Sequence, residues 1–384
     1  MGESAAVADQ TARRRVAPLR VCLVICQLGL GGAEKQLVLL AEGLSRLGVE
    51  VRVVVLTRAG AREDALRVAG VPVVHLGLRQ PGGWRAVPHL VATWGRLAGY
   101  LRRSRPDVVH AFLFSSYVLG APAARLAGVP VFVAGRRSLD DFKRGRRWML
   151  AAERISARMT DLLVANAHAV AERVRETERV PAGGLSVVYN GLPSAAFATV
   201  EPARLDSAHP VVLCVANLRS LKGHRHLLDA AALLRDRGLT CTLALVGDGP
   251  ERDALRAHAI RIGVDTRLLG ARLDVDGLLA RADVVALPSM TEGMSNAVME
   301  AMAAGRAVVA SAVGGIPELL ADGRGLLVRP GDPVGLANAL ERLLRDRAYA
   351  ESIGRAARDW SRSHLAADLM VHRHLVLYDM LLKR

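Results

Sequence analysis

Short runs rich in Val, Ile, Leu and Ala alternate along the whole chain with longer stretches in which apolar residues recur every three or four positions. The short runs predict strands at 20–26, 51–56, 72–76, 107–112, 130–134, 161–165 and 185–188, and again at 211–216, 241–246, 266–269, 283–287, 307–310 and 325–328. Several of them (VVLCVA, CTLALV, DVVALP) lack polar alternates, as expected of strands covered by helices on both faces. Strands alternating with helical patterns predict parallel sheets joined by crossover helices. The rhythm breaks between Asn190 and Pro210, where Gly191, Pro193 and Pro202 fall. A linker is therefore expected over 191–209, although Asn190-Gly191 alone also reads as a hairpin turn. This gives a basic arm (1–18) expected to be disordered, a domain over 19–190, a second over 210–364 and a C-terminal helix over 365–384, for which a return to the first domain is one open path.

The 384 residues suit two domains of roughly 150–200 residues each. With 51% hydrophobic residues the chain has apolar side chains enough for two cores. No stretch reaches the roughly 18 uninterrupted apolar residues of a spanning helix. Arg13-Arg14-Arg15 before VCLVIC imitates a signal peptide, but Arg20 abuts the run and a glycine loop ends it, so a first strand and a cytoplasmic protein are expected. Cys22, Cys26, Cys214 and Cys241 lie in apolar surroundings without metal spacing and read as reduced, buried thiols.

The net charge of +15 is uneven: residues 1–190 hold 28 Lys+Arg against 15 Asp+Glu, and residues 191–384 hold 24 against 22. The first half thus meets an anionic partner or presents a solvated basic face. Arg136, Arg137, Lys143, Arg144, Arg146 and Arg147, with Trp148, form an expected patch for an acceptor or for an anionic membrane surface on the inner leaflet. Nucleic acid is not expected, since 4% aromatic residues offer no stacking platform.

The loops that follow strands carry the candidate chemistry, because ligands of doubly wound sheets bind beyond the carboxyl ends of strands. After the first strand, Gly29-Leu30-Gly31-Gly32-Ala33-Glu34 fits either phosphate contact or a plain tight turn; Glu34 stands where a dinucleotide fingerprint has its third glycine. After strand 211–216 come Asn217, Arg219 and Lys222, the last being one of only four lysines; an ammonium beside a guanidinium suits a diphosphate. Gly247-Asp248-Gly249-Pro250 follows the next strand and reads equally as a turn that starts a helix. Pro288 to Gly305 is the most informative: Glu292 in a loop, Gly293, Met294, Ser295 as a helix cap and Asn296 at the first turn, and Glu300 within the helix. Two carboxylates so spaced reach different hydroxyls of one polar ligand, and amides at the helix start face an anion. Small neighbours of Glu300 point to a buried helix and a carboxylate that needs a partner. Asp274-Val275-Asp276 falls at a helix start and reads as capping acids rather than a metal site.

These residues resemble the retaining family 4 glycosyltransferases (glycosyl transferases group 1). The resemblance runs from GLGGAE through DVVHAF, VVYNGLP, LRSLKGH, LVGDGPE and EGMSNAVMEAMAAG to GGIPELL. It implies the GT-B fold, α/β, with two doubly wound Rossmann-like domains facing a central cleft. It implies a nucleotide-sugar donor, commonly a UDP-sugar, held by the second domain, and a glycan or lipid-linked acceptor held by the first, in surface polysaccharide or glycolipid synthesis. By the resemblance Glu300 binds ribose hydroxyls. Glu292 and the amides of Gly293 to Asn296 contact the sugar, Gly247 and Asp248 adjoin the donor, and Lys222 binds the diphosphate with Gly31 and Gly32. Two positions depart from the pattern. Asn217 stands where many members have arginine, which passes that phosphate role to Arg219. Phe112 stands where many have a second histidine, so His110 reads equally as a catalytic group and as a packed strand residue. No cofactor or metal is expected, and the peripheral inner face of the plasma membrane is the expected address. A catalytically silent sugar-nucleotide binding protein is the rival reading; a dehydrogenase is disfavoured because the glycine loops lack the third glycine.

Overall fold

The structure is a computed structural model, which describes residues 17–57, 60–78, 86–139, 146–178, 180 and 183–384. The chain divides into two compact units: one holds the chain up to Gly191 together with Ala367–Arg384, and the other is Leu192–Ala366.

In the first unit, β1 (Arg20–Ile25), β2 (Glu50–Val55), β3 (Val73–His75), β4 (Val108–Phe112), β5 (Val131–Arg136), β6 (Leu162–Ala165) and β7 (Leu185–Val187) form a seven-stranded sheet in the order β3-β2-β1-β4-β5-β6-β7. Every pairing in it is parallel. Its helices are α1 (Gly32–Arg46), α2 (Glu63–Val68), α3 (Ala86–Ser104), α4 (Phe114–Ala127), α5 (Arg147–Arg158) and α6 (His168–Glu178). Leu37, Leu40, Ala41 and Leu44 recur on one face of α1 and close over Leu23 and Ile25, all with no solvent exposure.

The second unit repeats the plan. Strands β8 (Val211–Val215), β9 (Thr242–Val246), β10 (Thr266–Gly270), β11 (Val284–Leu287), β12 (Ala307–Ser311) and β13 (Leu326–Val328) form a parallel six-stranded sheet, β10-β9-β8-β11-β12-β13. The helices are α7 (His224–Asp236), α8 (Arg252–Ile262), α9 (Val275–Arg281), α10 (Asn296–Ala303), α11 (Ile316–Leu320), α12 (Pro333–Arg345) and α13 (Arg347–His364). In each sheet the winding reverses once, between β1 and β4 and between β8 and β11. Crossovers on either side of such a reversal leave in opposite directions and open a crevice at the strand ends.

The last helix, α14 (Ala367–Leu382), belongs to the first unit. Its Met370, Val371, Tyr378 and Leu381 join the core around α1. The stretch expected as a linker belongs instead to the second unit from Leu192 onward. There Ser194–Phe197 forms a 3-10 turn with Phe197 buried, and the amide of Ala203 donates to the carbonyl of Gly277 at 2.8 Å. The two crossing points of the chain are tied down on each side. The buried Gln36 amide holds Gly191, donating to its carbonyl at 2.9 Å and accepting from its N–H at 2.7 Å. Beyond it, Leu192 N–H donates to the carbonyl of Leu365 at 2.7 Å.

Candidate active site

Four loops at the carboxyl ends of β8, β9, β11 and β12 are knitted together by their backbones. Leu218 N–H donates to Asp248 O at 3.0 Å and Glu251 N–H to Leu218 O at 3.0 Å, which joins the first two. Met290 N–H donates to Leu221 O at 2.8 Å and Gly315 N–H to Gly293 O at 2.6 Å, which adds the others. Two approaches are so close that only glycine fits. A Cβ on Gly223, at φ +67°, would lie 2.0 Å from Pro288 O, and one on Gly314, at φ +54°, would lie 1.9 Å from Glu292 O. The sequence thus brings residues about seventy positions apart onto one rim, at the reversal of winding.

On that rim Lys222 Nζ donates to Glu292 Oε1 at 2.6 Å, and Ser289 Oγ donates to the same oxygen at 2.8 Å. The pair is partly sheltered, with side chains 27% and 11% exposed. Asn217 and Arg219 are exposed beside it, and Asp248, also exposed, accepts from the amide of Gly249 at 2.8 Å. Gly247 is half-buried behind Asp248, and Gly293, Met294 and Ser295 are buried. Ser295 caps α10, its Oγ accepting from Val298 N–H at 3.4 Å, and Asn296 opens the helix. Glu300, on the same helix, is half-buried. The arrangement offers an ammonium and a guanidinium for an anion, a helix start for partial positive charge, and two carboxylates for hydroxyl groups.

His224, which follows the Lys222-Gly223 turn, was not foreseen as part of this site. It is buried with neither ring nitrogen hydrogen-bonded, and burial, helped by the charge of Lys222, holds it down at about 4. A neutral imidazole therefore lies behind the ammonium. Its one signal in the sequence is its position at the end of the LKGH turn.

The first unit corrects several expectations. His110 is fully buried in β4, its Nδ1 2.7 Å from the Tyr378 hydroxyl, with the His374 and Phe112 rings beside it and its Nε2 without a hydrogen-bond partner. Burial, together with the nearby His374 and Arg137, holds its pKa well below the usual imidazole value. Of the expected phosphate loop, Gly31 caps α1 and Gly32 opens it, but the Glu34 carboxylate packs on Gly31, 2.2 Å from where a Cβ would stand. That helix start therefore faces a carboxylate of its own first turn.

Arg136 is not part of an outward patch. It is 1% exposed, paired through Nε and Nη2 with Glu178 at 2.8 and 2.7 Å, and stacked 3.7 Å over the Tyr117 ring. Burial alone pulls its pKa down, but Tyr117 and Glu178 outweigh that and raise it. Arg137 is half-buried and donates to Asn190 Oδ1 at 2.6 Å. Arg146 and Arg147 are exposed at the start of α5, and Lys143 and Arg144 lie outside the described residues. Asp274 precedes α9 as expected, yet its carboxylate pairs with Arg272 rather than with helix amides. The four cysteines are free; burial pushes Cys22 and Cys214 up to about 12 and Cys241 to about 11, which keeps their thiols protonated. Among the described residues no helix is long and apolar enough to cross a membrane.

Comparison with known proteins agrees with this geometry. Residues 209–346 match the family model for glycosyl transferases group 1, and residues 30–195 match that for glycosyltransferase family 4. A D-inositol 3-phosphate glycosyltransferase of Frankia alni is 30% identical over 384 residues, covering 85% of this chain and 90% of the relative. The 2-deoxystreptamine glucosyltransferase of Streptomyces kanamyceticus is 28% identical over 378 residues, covering 88% and 95%. Anabaena HepE, solved in complex with UDP-glucose, superposes with a TM-score of 0.81 at 24% identity, over 94% of this chain and 100% of that one. Sucrose-phosphate synthase from Thermosynechococcus elongatus gives 0.82 at 19%, over 95% and 99%. Two parallel sheets, each with one reversal of winding, and family matches to both halves lead to one conclusion: the chain belongs to the family 4 glycosyltransferases and has the GT-B fold.

Proposed function

We propose that the protein transfers a hexosyl group from a UDP-sugar to a glycan or lipid-linked acceptor with retention of anomeric configuration, in surface polysaccharide or glycolipid synthesis. The observation that carries this reading is the Lys222–Glu292 pair at the reversal of winding in the second unit, with Glu300 on the helix that leaves the same loop. In it Lys222 and Arg219 neutralise the diphosphate, which makes a metal unnecessary. Glu300 accepts from ribose hydroxyls, and Glu292 and the start of α10 hold the sugar. The leaving phosphate takes the acceptor proton on the face from which it departs. Stabilising the charge that grows on that leaving group is then the chief catalytic contribution.

The donor assignment is supported by the solved relative HepE, whose structure contains UDP-glucose. The first unit takes the acceptor and rests on an anionic membrane through α5. Arg146, Arg147, Arg154 and Arg158 are exposed there with Trp148 and Ile155, while the helix's one acid, Glu153, is buried. Titration with UDP, followed by thermal shift, tests the donor reading: a ligand at a hundred times its Kd stabilises by about 2.7 kcal/mol. Weaker binding in Lys222→Met supports it, and no shift with any nucleoside diphosphate refutes it. For the membrane, flotation with anionic vesicles that persists after neutralising Arg147, Arg154 and Arg158 eliminates α5 as the anchor.

A further inference from the structure

A cavity of about 360 Å³ opens in the first unit where β1, β4 and β5 end. It therefore sits at that sheet's own reversal of winding, where crevices form. Its wall contains Arg136, Arg137 and Arg146 beside Phe114, Tyr117 and Met149, and among the described residues no carboxylate lines it. The cavity is thus cationic, with aromatic and apolar sides.

Two of these arginines hold polar hydrogens with nowhere to go. Glu178 takes Nε and Nη2 of Arg136, and Nη1 of this 1% exposed side chain is buried without a partner. Arg137 gives Nη1 to the neutral Asn190 amide and lies 4.6 Å over the Phe112 ring, and its Nε is likewise buried and unpartnered. Burial pulls Arg137 down to about 10, and it stays charged at neutral pH. Among the described residues Arg137 has no counter-ion, and its buried Nε makes no hydrogen bond; a bound oxyanion relieves both deficits together.

We infer that this cavity binds a phosphate group carried by the acceptor, with Arg136, Arg137 and the exposed Arg146 of its wall as the donors. The inference rests on the reading that the first unit holds the acceptor, and it narrows that acceptor from any glycan to a phosphate-bearing one. The phosphate belongs either to a soluble sugar phosphate or to a lipid headgroup, and the apolar wall accommodates both.

Calorimetric titration of the full chain with inorganic phosphate and glucose 6-phosphate, with glucose as the neutral control, tests it. The wild type is expected to bind both phosphates and not glucose. Arg137→Met should weaken phosphate binding at least tenfold while leaving UDP affinity within twofold, and Lys222→Met should leave phosphate binding in place. Arg146→Gln, a change at an exposed position, should weaken it about threefold and decides the matter if Arg137→Met fails to fold. If soluble phosphates do not bind but phosphatidylglycerol vesicles do, with phosphatidylcholine vesicles inert and Arg137→Met losing the binding, the phosphate is a lipid headgroup and the proposal stands. It is overturned by glucose binding as well as its phosphate, by phosphate affinity lost only in Lys222→Met, or by phosphate and vesicle binding unchanged in the arginine variants. Failure of UDP to bind would overturn the donor assignment and leave these outcomes readable.

Discussion

Replacing Lys222 by methionine removes the ammonium and keeps the apolar stem, leaving Glu292 with the Ser289 hydroxyl in place of its counter-ion. An exposed ion pair contributes roughly 0–1 kcal/mol, whereas breaking a fully buried one by removing a partner costs roughly 3–5 kcal/mol. With side chains 27% and 11% exposed the pair falls between these limits, so a loss of about 2 kcal/mol is expected once solvent screening is allowed for. In a unit of this size each kcal/mol moves the melting temperature by about 2–4 °C, so the second unit should melt about 4–8 °C lower. Adding Glu292→Gln removes the stranded charge and should recover most of that loss. Turnover should not follow stability. An electrostatic stabiliser of a leaving group is worth about 100- to 1,000-fold, so at saturating donor both the single and the double variant should release nucleoside diphosphate at least ~100-fold more slowly. Continuous measurement of nucleoside diphosphate release beside calorimetric melting separates the two effects. Wild-type turnover in Lys222→Met, or turnover that returns with the melting temperature in the double variant, refutes the assignment and leaves the lysine a structural role only.

On the proposed reading Glu300 holds the ribose before and during reaction alike, so in Glu300→Ala KM for the donor should rise about tenfold or more in steady-state assays with kcat changed only a few-fold. Gly223→Ala forces a left-handed alanine against Pro288 O, and calorimetry should show a loss of ~3 kcal/mol together with weakened UDP binding, as the Lys222 turn parts from the Glu292 loop. Acid should destabilise the protein below about pH 6.5. His374 is buried and held at about 4, so below its unfolded value the unfolded chain binds a proton that the folded one refuses. The resulting loss reaches about 2 kcal/mol at pH 5 for this one group. His374→Leu should flatten the fall of melting temperature between pH 6.5 and 4.

Strand positions were legible because strands buried on both faces show as uninterrupted apolar runs; VVLCV and TLALV are such runs, and both are buried through most of their length. The rim of the second unit was legible for a related reason: Lys222, Glu292 and Glu300 stand in loops or helices that leave strand ends, and a parallel sheet gathers such ends on one edge. Residues whose fate depends on a distant partner were not. Whether Arg136 points outward depends on Glu178, 42 positions on, and whether His110 is a catalytic or a packed group depends on Tyr378, 268 positions on. Nothing local to either residue encodes those pairings. Likewise the glycines of the first loop speak for an anion, but the side chain that reaches them is Glu34 of the same segment. The first-unit cavity was legible only in its arginines, Arg136, Arg137 and Arg146, because the rest of its wall is assembled from the ends of three strands and the starts of α4 and α5.

The proposed retaining transfer from a nucleoside diphosphate sugar held by Lys222, Glu292 and Glu300 is read in the anomeric configuration of the first product. Proton NMR of the first product formed from an α-linked UDP-sugar, recorded before mutarotation, tests it most directly. An α-configured product is expected, with one UDP released for each sugar transferred and both signals reduced at least ~100-fold in Lys222→Met. A β-configured product, or UDP and product forming at the wild-type rate in that variant, would contradict it.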